Sequence, residues 1–282
     1  MKWVTHFNTS IEHIEANLCG EISYEELARI AQCSSFHYQR MFAYLAGIPL
    51  GEYIRRRRMS LAATDLQHSD QTVLQIGLKY GYASPTAFNR AFQSVHGLSP
   101  SAARQQGAIL TSYPPIHFTL TVKGVEKMNY RIEHKDAIRV VGRSVELSQR
   151  MEENGPIFRQ AWEDAVSDGT LEKLSAMINA EPFACLGLTT MDGQSAKYWV
   201  AVPSTKEPTD GLEAFIVPAL TYAVFEGKGV HDTMTQLFHD IMVDWLPNSG
   251  FDYAGGPDIE VYIEPDPETG RYEVWIPVAK AA

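Results

Sequence analysis

The sequence is short of the features that mark exported proteins and most enzymes. It holds three cysteines, Cys19, Cys33 and Cys185, and none forms a CxxC pair. An odd, unpaired set argues against a disulfide scaffold and suits a reducing cytoplasm. No apolar run is long enough to cross a membrane. The opening MKWVTHFNTSIEHIEANL lacks the charged-then-apolar plan of a signal peptide, so neither membrane insertion nor export is expected. There is no Gly-rich phosphate loop, no nucleophile elbow and no HExxH. His231, Asp232, His239 and Asp240 share a predicted helix, but the two histidines stand eight apart, which makes no metal site. No cofactor is implied.

Positive charge is also scarce: 24 Lys+Arg against 34 Asp+Glu give a net −10 over 282 residues. The deficit is not evenly spread. Up to Gly107 there are 10 Lys+Arg and 8 Asp+Glu, a net +2; from Ala108 onward there are 14 and 26, a net −12. The first third can approach phosphate, whereas the rest would be repelled by it. The length and this asymmetry predict two domains, a DNA-binding module joined to an acidic partner.

The densest pattern runs from Gln71 to Arg104. Val73, Ile76, Gly77 and Tyr80 repeat at helical spacing, and Ala87, Phe88, Ala91, Phe92 and Val95 do so again. Between them Gly81 can take positive φ, Ser84 stands at an N-cap and Pro85 at the first helical position, while Gly97 and Pro100 end the second helix. Two helices around a glycine-bearing turn make a helix-turn-helix, with Thr86, Asn89, Arg90 and Gln93 turned outward. The run Ile76 to Tyr82, then Ser84-Pro85, Phe88, Arg90-Ala91-Phe92 and Gly97-Leu98-Ser99-Pro100, closely resembles the C-terminal signature of AraC/XylS-type transcription regulators.

A second unit precedes it. His6 to Leu18 reads as an amphipathic packing helix. Ser23 with Glu26 reads as a capping box for the next helix, and Gln32 to Ser34 as a turn. Ser35 to Ala46 then carries Phe36, Gln39 and Arg40 opposite Tyr38, Met41, Phe42 and Leu45. The stretch Ser34 to Phe42 resembles the first recognition helix of the same family, so the resemblance covers about His6 to Arg104. Pro49 to Gln67 is expected to be a continuous connecting helix. Its four arginines, Arg55 to Arg58, cannot share one side at about 100° per residue. One or two are expected at phosphate and another paired with Glu52 or Asp65.

A rigid connector can set two recognition helices into successive major grooves, about 34 Å apart. The resemblance implies Phe36, Gln39 and Arg40 in the first unit, and Pro85, Thr86, Asn89 and Arg90 in the second, as contacts to double-stranded promoter DNA. Arginine can fork onto guanine, and Gln and Asn onto adenine, while Phe36 suits a thymine methyl. Pro85 offers no hydrogen bond where relatives often carry a polar residue, which weakens readout there.

Residues 108–127, with Pro114-Pro115, read as a linker between a DNA-binding domain over 1–107 and a second domain over 128–282, with a strand expected at Ile116 to Val122. Beyond it, alternation replaces helical spacing. Strands are expected at Tyr130 to Glu133, Ile138 to Leu147, Phe183 to Thr189 and Tyr198 to Val202, with helices at Pro156 to Val166 and Leu171 to Ile178. The plan then repeats, with strands at Leu220 to Glu226, Ile259 to Glu264 and Tyr272 to Val278 and a helix at Asp232 to Trp245. Two ββαββ-like halves predict a pseudo-twofold α+β domain with a groove between them. The fold class expected for the chain is therefore multi-domain, all-α then α+β.

In the last hairpin, Glu260 precedes Tyr262 and Glu273 precedes Trp275 by two residues, each pair on one side of its strand. Trp199 can add another ring. A carboxylate with aromatic walls receives organic cations, although spacing alone favours an ordinary amphipathic hairpin. Val140-Val141-Gly142, Ala219 to Gly227, Ile259 to Tyr262 and Glu273 to Val278 resemble a GyrI-like ligand-binding domain, and the order of the two halves is that of Rob-like regulators. The resemblance implies a cytoplasmic transcription regulator that engages RNA polymerase, with Glu260, Glu273 and Trp275 at a lipophilic or cationic effector; the strand alternation adds Tyr262 and Trp199 to that candidate site. Two alternatives stay open: a hydrolase with Glu273 as base beside Tyr262 or Tyr272, or an acidic surface that docks a protein.

Overall fold

The protein, seen in a computed structural model, is described over residues 2–119, 128–192, 195–209, 211–229, 231–264 and 270–280. It divides into two compact units, Met1–Thr121 and Val122–Ala282. No helix among the described residues is long and apolar enough to cross a membrane.

The first unit is helical: α1 (Lys2–Ala16), α2 (Tyr24–Ala31), α3 (Ser35–Ala46), α4 (Leu50–His68), α5 (Val73–Lys79), α6 (Pro85–His96) and α7 (Pro100–Ala103). Local chemistry sets the ends. Ser23, Ser34, Thr72, Ser84 and Ser99 each accept a backbone N–H at the start of a helix. The reciprocal capping box lies at Thr72 and Gln75. At Ser23 the Glu26 carboxylate turns to Arg29 instead. Gly81 takes φ +83° in the turn between α5 and α6, as the sequence requires. Gly77 serves close approach: a Cβ there would stand 3.2 Å from the Phe88 ring, so α5 presses directly on α6. Ile76, Phe88 and Phe92 fill that core, while Phe7 stacks on Tyr38 at 5.1 Å in the other half.

The arginine run is largely consumed inside the unit. Arg55 and Arg56 both pair with Glu52 (2.5 and 2.6 Å). Arg57 forks onto Glu15 and donates to the Tyr113 carbonyl. Arg58 donates to the carbonyls of Leu18 (3.0 Å) and Gly20 (2.6 Å). Asp65 serves Lys79 and Tyr80 rather than an arginine. Residues 108–119 are extended and anchored on these helices. No strand forms over 116–119, and the remainder of the expected Ile116 to Val122 strand lies outside the described residues.

The second unit contains β1 (Tyr130–Lys135), β2 (Ile138–Glu146), α8 (Asn154–Ser167), α9 (Thr170–Met177), β3 (Cys185–Asp192), β4 (Ser195–Pro203), β5 (Glu213–Val217), β6 (Leu220–Lys228), α10 (His231–Asp240), β7 (Phe251–Tyr253), β8 (Asp258–Tyr262) and β9 (Arg271–Lys280). The helix expected to Trp245 changes to a π-helical turn at Ile241–Trp245. The antiparallel order is β1-β6-β9-β8-β3-β4-β2-β5, with β7 beside β9. Exchanging β1, β2, β3 and β4 for β5, β6, β8 and β9 reverses that order, so a pseudo-twofold passes between β3 and β8. Each half lends its first strand to the other, β1 to β6 and β5 to β2, and neither half is a complete sheet alone.

His96 carries a pH-dependent part of the first unit's stability. Its Nε2 donates to the Met59 carbonyl (3.1 Å) and its Nδ1 accepts from the Thr111 amide (3.2 Å), a pattern only the neutral ring can make. Burial holds its pKa below the ordinary value, despite the Met59 bond. A depressed histidine pKa adds stability that is present above the unfolded value, about 6.5, and is lost as pH falls from there through the lower folded value. The full chain's melting temperature is therefore expected to fall between pH 7.5 and 5.5 by more than that of His96→Gln; parallel curves would refute this.

Candidate functional sites

On α6 the polar face is open. Pro85, Thr86, Asn89, Arg90 and Gln93 are exposed, and Phe88, Ala91 and Phe92 are buried behind them. On α3, Phe36, Gln39 and Arg40 lie on one side and Tyr38, Met41 and Phe42 on the other, at the i, i+3, i+4 spacing of one helix face. Gln39 donates weakly to the Ser35 carbonyl (3.4 Å), and the Arg40 guanidinium stands 5.9 Å from the Tyr44 ring centre. Phe36 is half-buried, and Gln39 and Arg40 keep under a tenth of their surface, unlike their counterparts on α6.

In the second unit, register decides which predicted residues meet. Ile259 pairs with Trp275 and Val261 with Glu273, while Glu260 pairs with Val274 and Tyr262 with Tyr272. Directly paired residues share a face, so Glu260 and Tyr262 lie on one side of the sheet and Glu273 and Trp275 on the other. Trp199 pairs with Leu188, which pairs with Ile259, so it lies on the Trp275 side. The five candidates therefore form two groups, not one site.

The Glu273 group is internally satisfied. Glu273 accepts from Arg131 Nη2 (2.6 Å) and from Trp275 Nε1 (2.7 Å). Arg131 also reaches Glu133 and Glu226, and the Lys135 ammonium lies 4.5 Å from the Trp275 ring centre. Lys135 and Arg131 hold the Glu133 carboxyl below its usual range. Trp199 donates to Thr190 (2.9 Å) in the sheet core. The protein's own cations already occupy this carboxylate and this ring. Tyr262 and Tyr272 lie on the opposite face, so the base–tyrosine pairing imagined for a hydrolase is not assembled.

The Glu260 group is built differently. Tyr198 and Tyr262 both donate to Glu260 Oε2, at 2.8 and 2.9 Å, and Trp162 Nε1 donates to the Tyr198 hydroxyl at 2.8 Å. Burial first, and the Glu260 charge second, push both tyrosine pKa values well up, so the hydroxyls stay neutral donors. Trp162 meets Tyr262 edge-on at 4.7 Å, and Phe158 tilts against Tyr198 at 4.8 Å. Met234 of α10 approaches the Tyr262 hydroxyl at 3.8 Å, so Tyr262 is reached from both α8 and α10. The floor is Gly187, directly opposite Glu260 across the β3–β8 seam. A Cβ on Gly187 would stand 2.4 Å from Tyr198 Oη and 2.5 Å from Glu260 Oε2. Glycine at the pseudo-twofold position thus leaves room for one carboxylate where a symmetric domain would carry two.

Sequence reasoning missed Trp162, Phe158, Tyr198 and Gly187. A glycine in the middle of a strand signals a close approach, and Gly187 carried that signal. The helix residues had none, because α8 is amphipathic whether or not it lines a site.

The two carboxylates are expected to separate in a stability measurement. Glu273→Gln leaves Arg131 beside Glu133 with a buried partner lost, and should lower unfolding free energy by about 1–3 kcal/mol in a denaturant titration. Glu260→Gln keeps an acceptor for both tyrosines and should cost less than half as much; the reverse order would refute the assignment.

Comparison with known proteins follows the same division. Residues 27–106 match a helix-turn-helix domain family, and residues 131–278 match the family of integron-associated effector binding proteins. The transcriptional activator AarP of Providencia stuartii is 42% identical over 91 residues, 32% of this chain and 67% of AarP. The multiple antibiotic resistance protein MarA of Escherichia coli is 32% identical over 111 residues, 38% of this chain and 87% of MarA. Among solved structures, SAV2435 bound to tetraphenylphosphonium covers 54% of this chain and 94% of its own, at 19% identity and a TM-score of 0.47. The chain belongs to the AraC-type DNA-binding transcription regulators, with a GyrI-like effector-binding domain behind its helix-turn-helix units.

Proposed function

We propose that this regulator reads a bipartite promoter site with α3 and α6 and responds to a lipophilic monocation held at Glu260. The observation that carries the effector half is the Glu260 carboxylate, held by two neutral tyrosine hydroxyls whose rings pack against Trp162 and Phe158. A single negative charge beside aromatic walls favours an organic cation through Coulomb attraction and cation–π contact, at about 0.5–2 kcal/mol per ring. The Glu273 group lacks that capacity because Arg131 and Lys135 neutralise it. On the DNA side, the exposed row Thr86, Asn89 and Arg90 supports base contact by α6. Phe36, Gln39 and Arg40 form the corresponding face of α3, where Gln39 and Arg40 are buried, so base contact there requires that face to be uncovered. RNA polymerase is the partner through which a bound promoter is regulated, in the cytoplasm.

The test of the effector reading is a thermal-shift titration of the full chain with tetraphenylphosphonium and with neutral triphenylphosphine oxide. A ligand at about 100 times its Kd stabilises by about 2.7 kcal/mol. Saturable stabilisation by the cation is expected, reduced at least about tenfold in apparent affinity by Glu260→Gln and retained in Glu273→Gln. Equal response to both compounds would remove the charge from the recognition, and response to neither would favour a protein-docking role for the acidic unit.

The DNA reading is tested by Arg90→Ala. In a salt-matched titration against a duplex selected by the full chain, it should weaken specific binding by about 1–3 kcal/mol. An unchanged affinity would take Arg90 out of the base contacts.

A further inference from the structure

We propose that residues 111–118 form a positioning strap for DNA recognition, which holds the two helix-turn-helix units at a fixed separation. The inference rests on the reading that both α3 and α6 enter DNA. The segment has no β-ladder partner, yet its backbone is held at regular intervals by side chains from the helices. Thr111 N–H donates to His96 (3.2 Å), Tyr113 N–H to Ser60 (2.9 Å) and Ile116 N–H to the Tyr53 hydroxyl (3.2 Å). Phe118 is held twice, its N–H by Asn8 Oδ1 and its carbonyl by Asn8 Nδ2, both at 2.9 Å.

The order of these hooks carries the argument. His96 is the last residue of the second recognition helix, α6. Ser60 and Tyr53 follow one another back along the connector α4, and Asn8 belongs to α1 in the first unit. The strap therefore runs from one helix-turn-helix, across the connector, to the other. Both of its ends seat in hydrophobic cores. Leu110 packs on the cluster that holds Phe88 and Phe92, and the Phe118 ring meets Phe7 at 6.3 Å and Phe42, a residue of α3, at 6.1 Å. Arg57 fixes the middle through the Tyr113 carbonyl, and Arg56 lies 4.8 Å from the Tyr113 ring centre.

Pro114-Pro115 suits this role, since two prolines need no N–H partner and hold the chain extended before it docks. At about 3.1 Å per residue the seven steps from Thr111 to Phe118 span about 22 Å, a brace of the same order as the distance between successive grooves. Beside it, the two units are joined by α4 and by Arg58, which holds the Leu18 and Gly20 carbonyls and lies against Gly81 in the α5–α6 turn. The strap adds a second continuous stretch of chain, which restricts rotation and bending further. Asn8, Ser60 and His96 are then positioning residues: they touch no DNA and act through the separation of α3 and α6.

The test uses the full chain and a duplex that it selects from a random-sequence pool, together with two derivatives whose spacer between half-sites is lengthened or shortened by one base pair. Wild type should lose about tenfold or more in affinity on either derivative. The Asn8→Ala/Ser60→Ala double variant should bind the selected duplex about tenfold more weakly, while its loss on the derivatives shrinks to about threefold or less. Should the double variant fail to fold, Ser60→Ala alone reads the same ratio. A variant that weakens on all three duplexes by one common factor, or does not weaken at all, keeps the wild-type ratio and overturns the strap. If wild type itself binds the three duplexes equally, the two-helix reading fails instead, so the two failures are distinguishable.

Discussion

Arg57 is the residue on which the first unit depends. A guanidinium this deeply placed loses hydration worth several kcal/mol, and it persists only because every direction it faces supplies an acceptor. Glu15 from α1 takes two of its donors and the Tyr113 carbonyl takes another. Tyr53 adds its hydroxyl to the same Glu15 carboxylate at 2.7 Å. One side chain on α4 thus joins the first helix, the connector and the extended segment after α7. Each of those elements is held partly because the charge must be satisfied, which makes the arrangement specific rather than merely sticky.

The second unit meets a different constraint, the seam between β3 and β8. Because each half donates its first strand to the other, the sheet is complete only when both halves are folded and the seam is closed. The seam also creates the chemistry. It sets Gly187 opposite Glu260, and the missing Cβ lets the carboxylate and the Tyr198 hydroxyl occupy the space above the sheet. A pseudo-twofold fold would ordinarily make a symmetric cleft; one glycine breaks that symmetry and leaves a single charge.

What the residues revealed in advance follows from the range of each signal. Helix ends were legible because caps, glycines and prolines act within four residues: Ser84, Pro85 and Gly97 bound α6 as their chemistry requires. The repeated halves were legible because alternation is also local. β5 was not, since Glu213–Val217 is a short edge strand with most of its side chains exposed and no clean alternation. β7 has only three residues. The division of the five effector candidates was out of reach for another reason. Each strand's alternation is visible alone, but which faces coincide depends on pairing, and a one-residue difference in register inverts the answer. The fate of the arginines was hidden likewise, because Glu15 lies 42 residues from Arg57.

The internal use of those arginines bears on how this chain can hold DNA. With Arg57 and Arg58 committed to Glu15 and to carbonyls, and Arg55 and Arg56 sharing Glu52, a net charge of +2 over the first 107 residues leaves little general attraction to phosphate. Non-specific affinity grows with the number of phosphates neutralised, so here it starts low. On the proposed two-helix reading, affinity comes from two modest contacts made together. Once the first helix is seated, the second engages at an effective concentration set by how well the connection matches the span. A loose joint would spread that concentration over many wrong separations, whereas a braced one concentrates it on a single spacing. Two of the internally paired arginines, Arg57 and Arg56, also seat Tyr113 in the middle of the proposed brace, so part of the lost general attraction and the proposed gain in geometric selectivity share one structural origin.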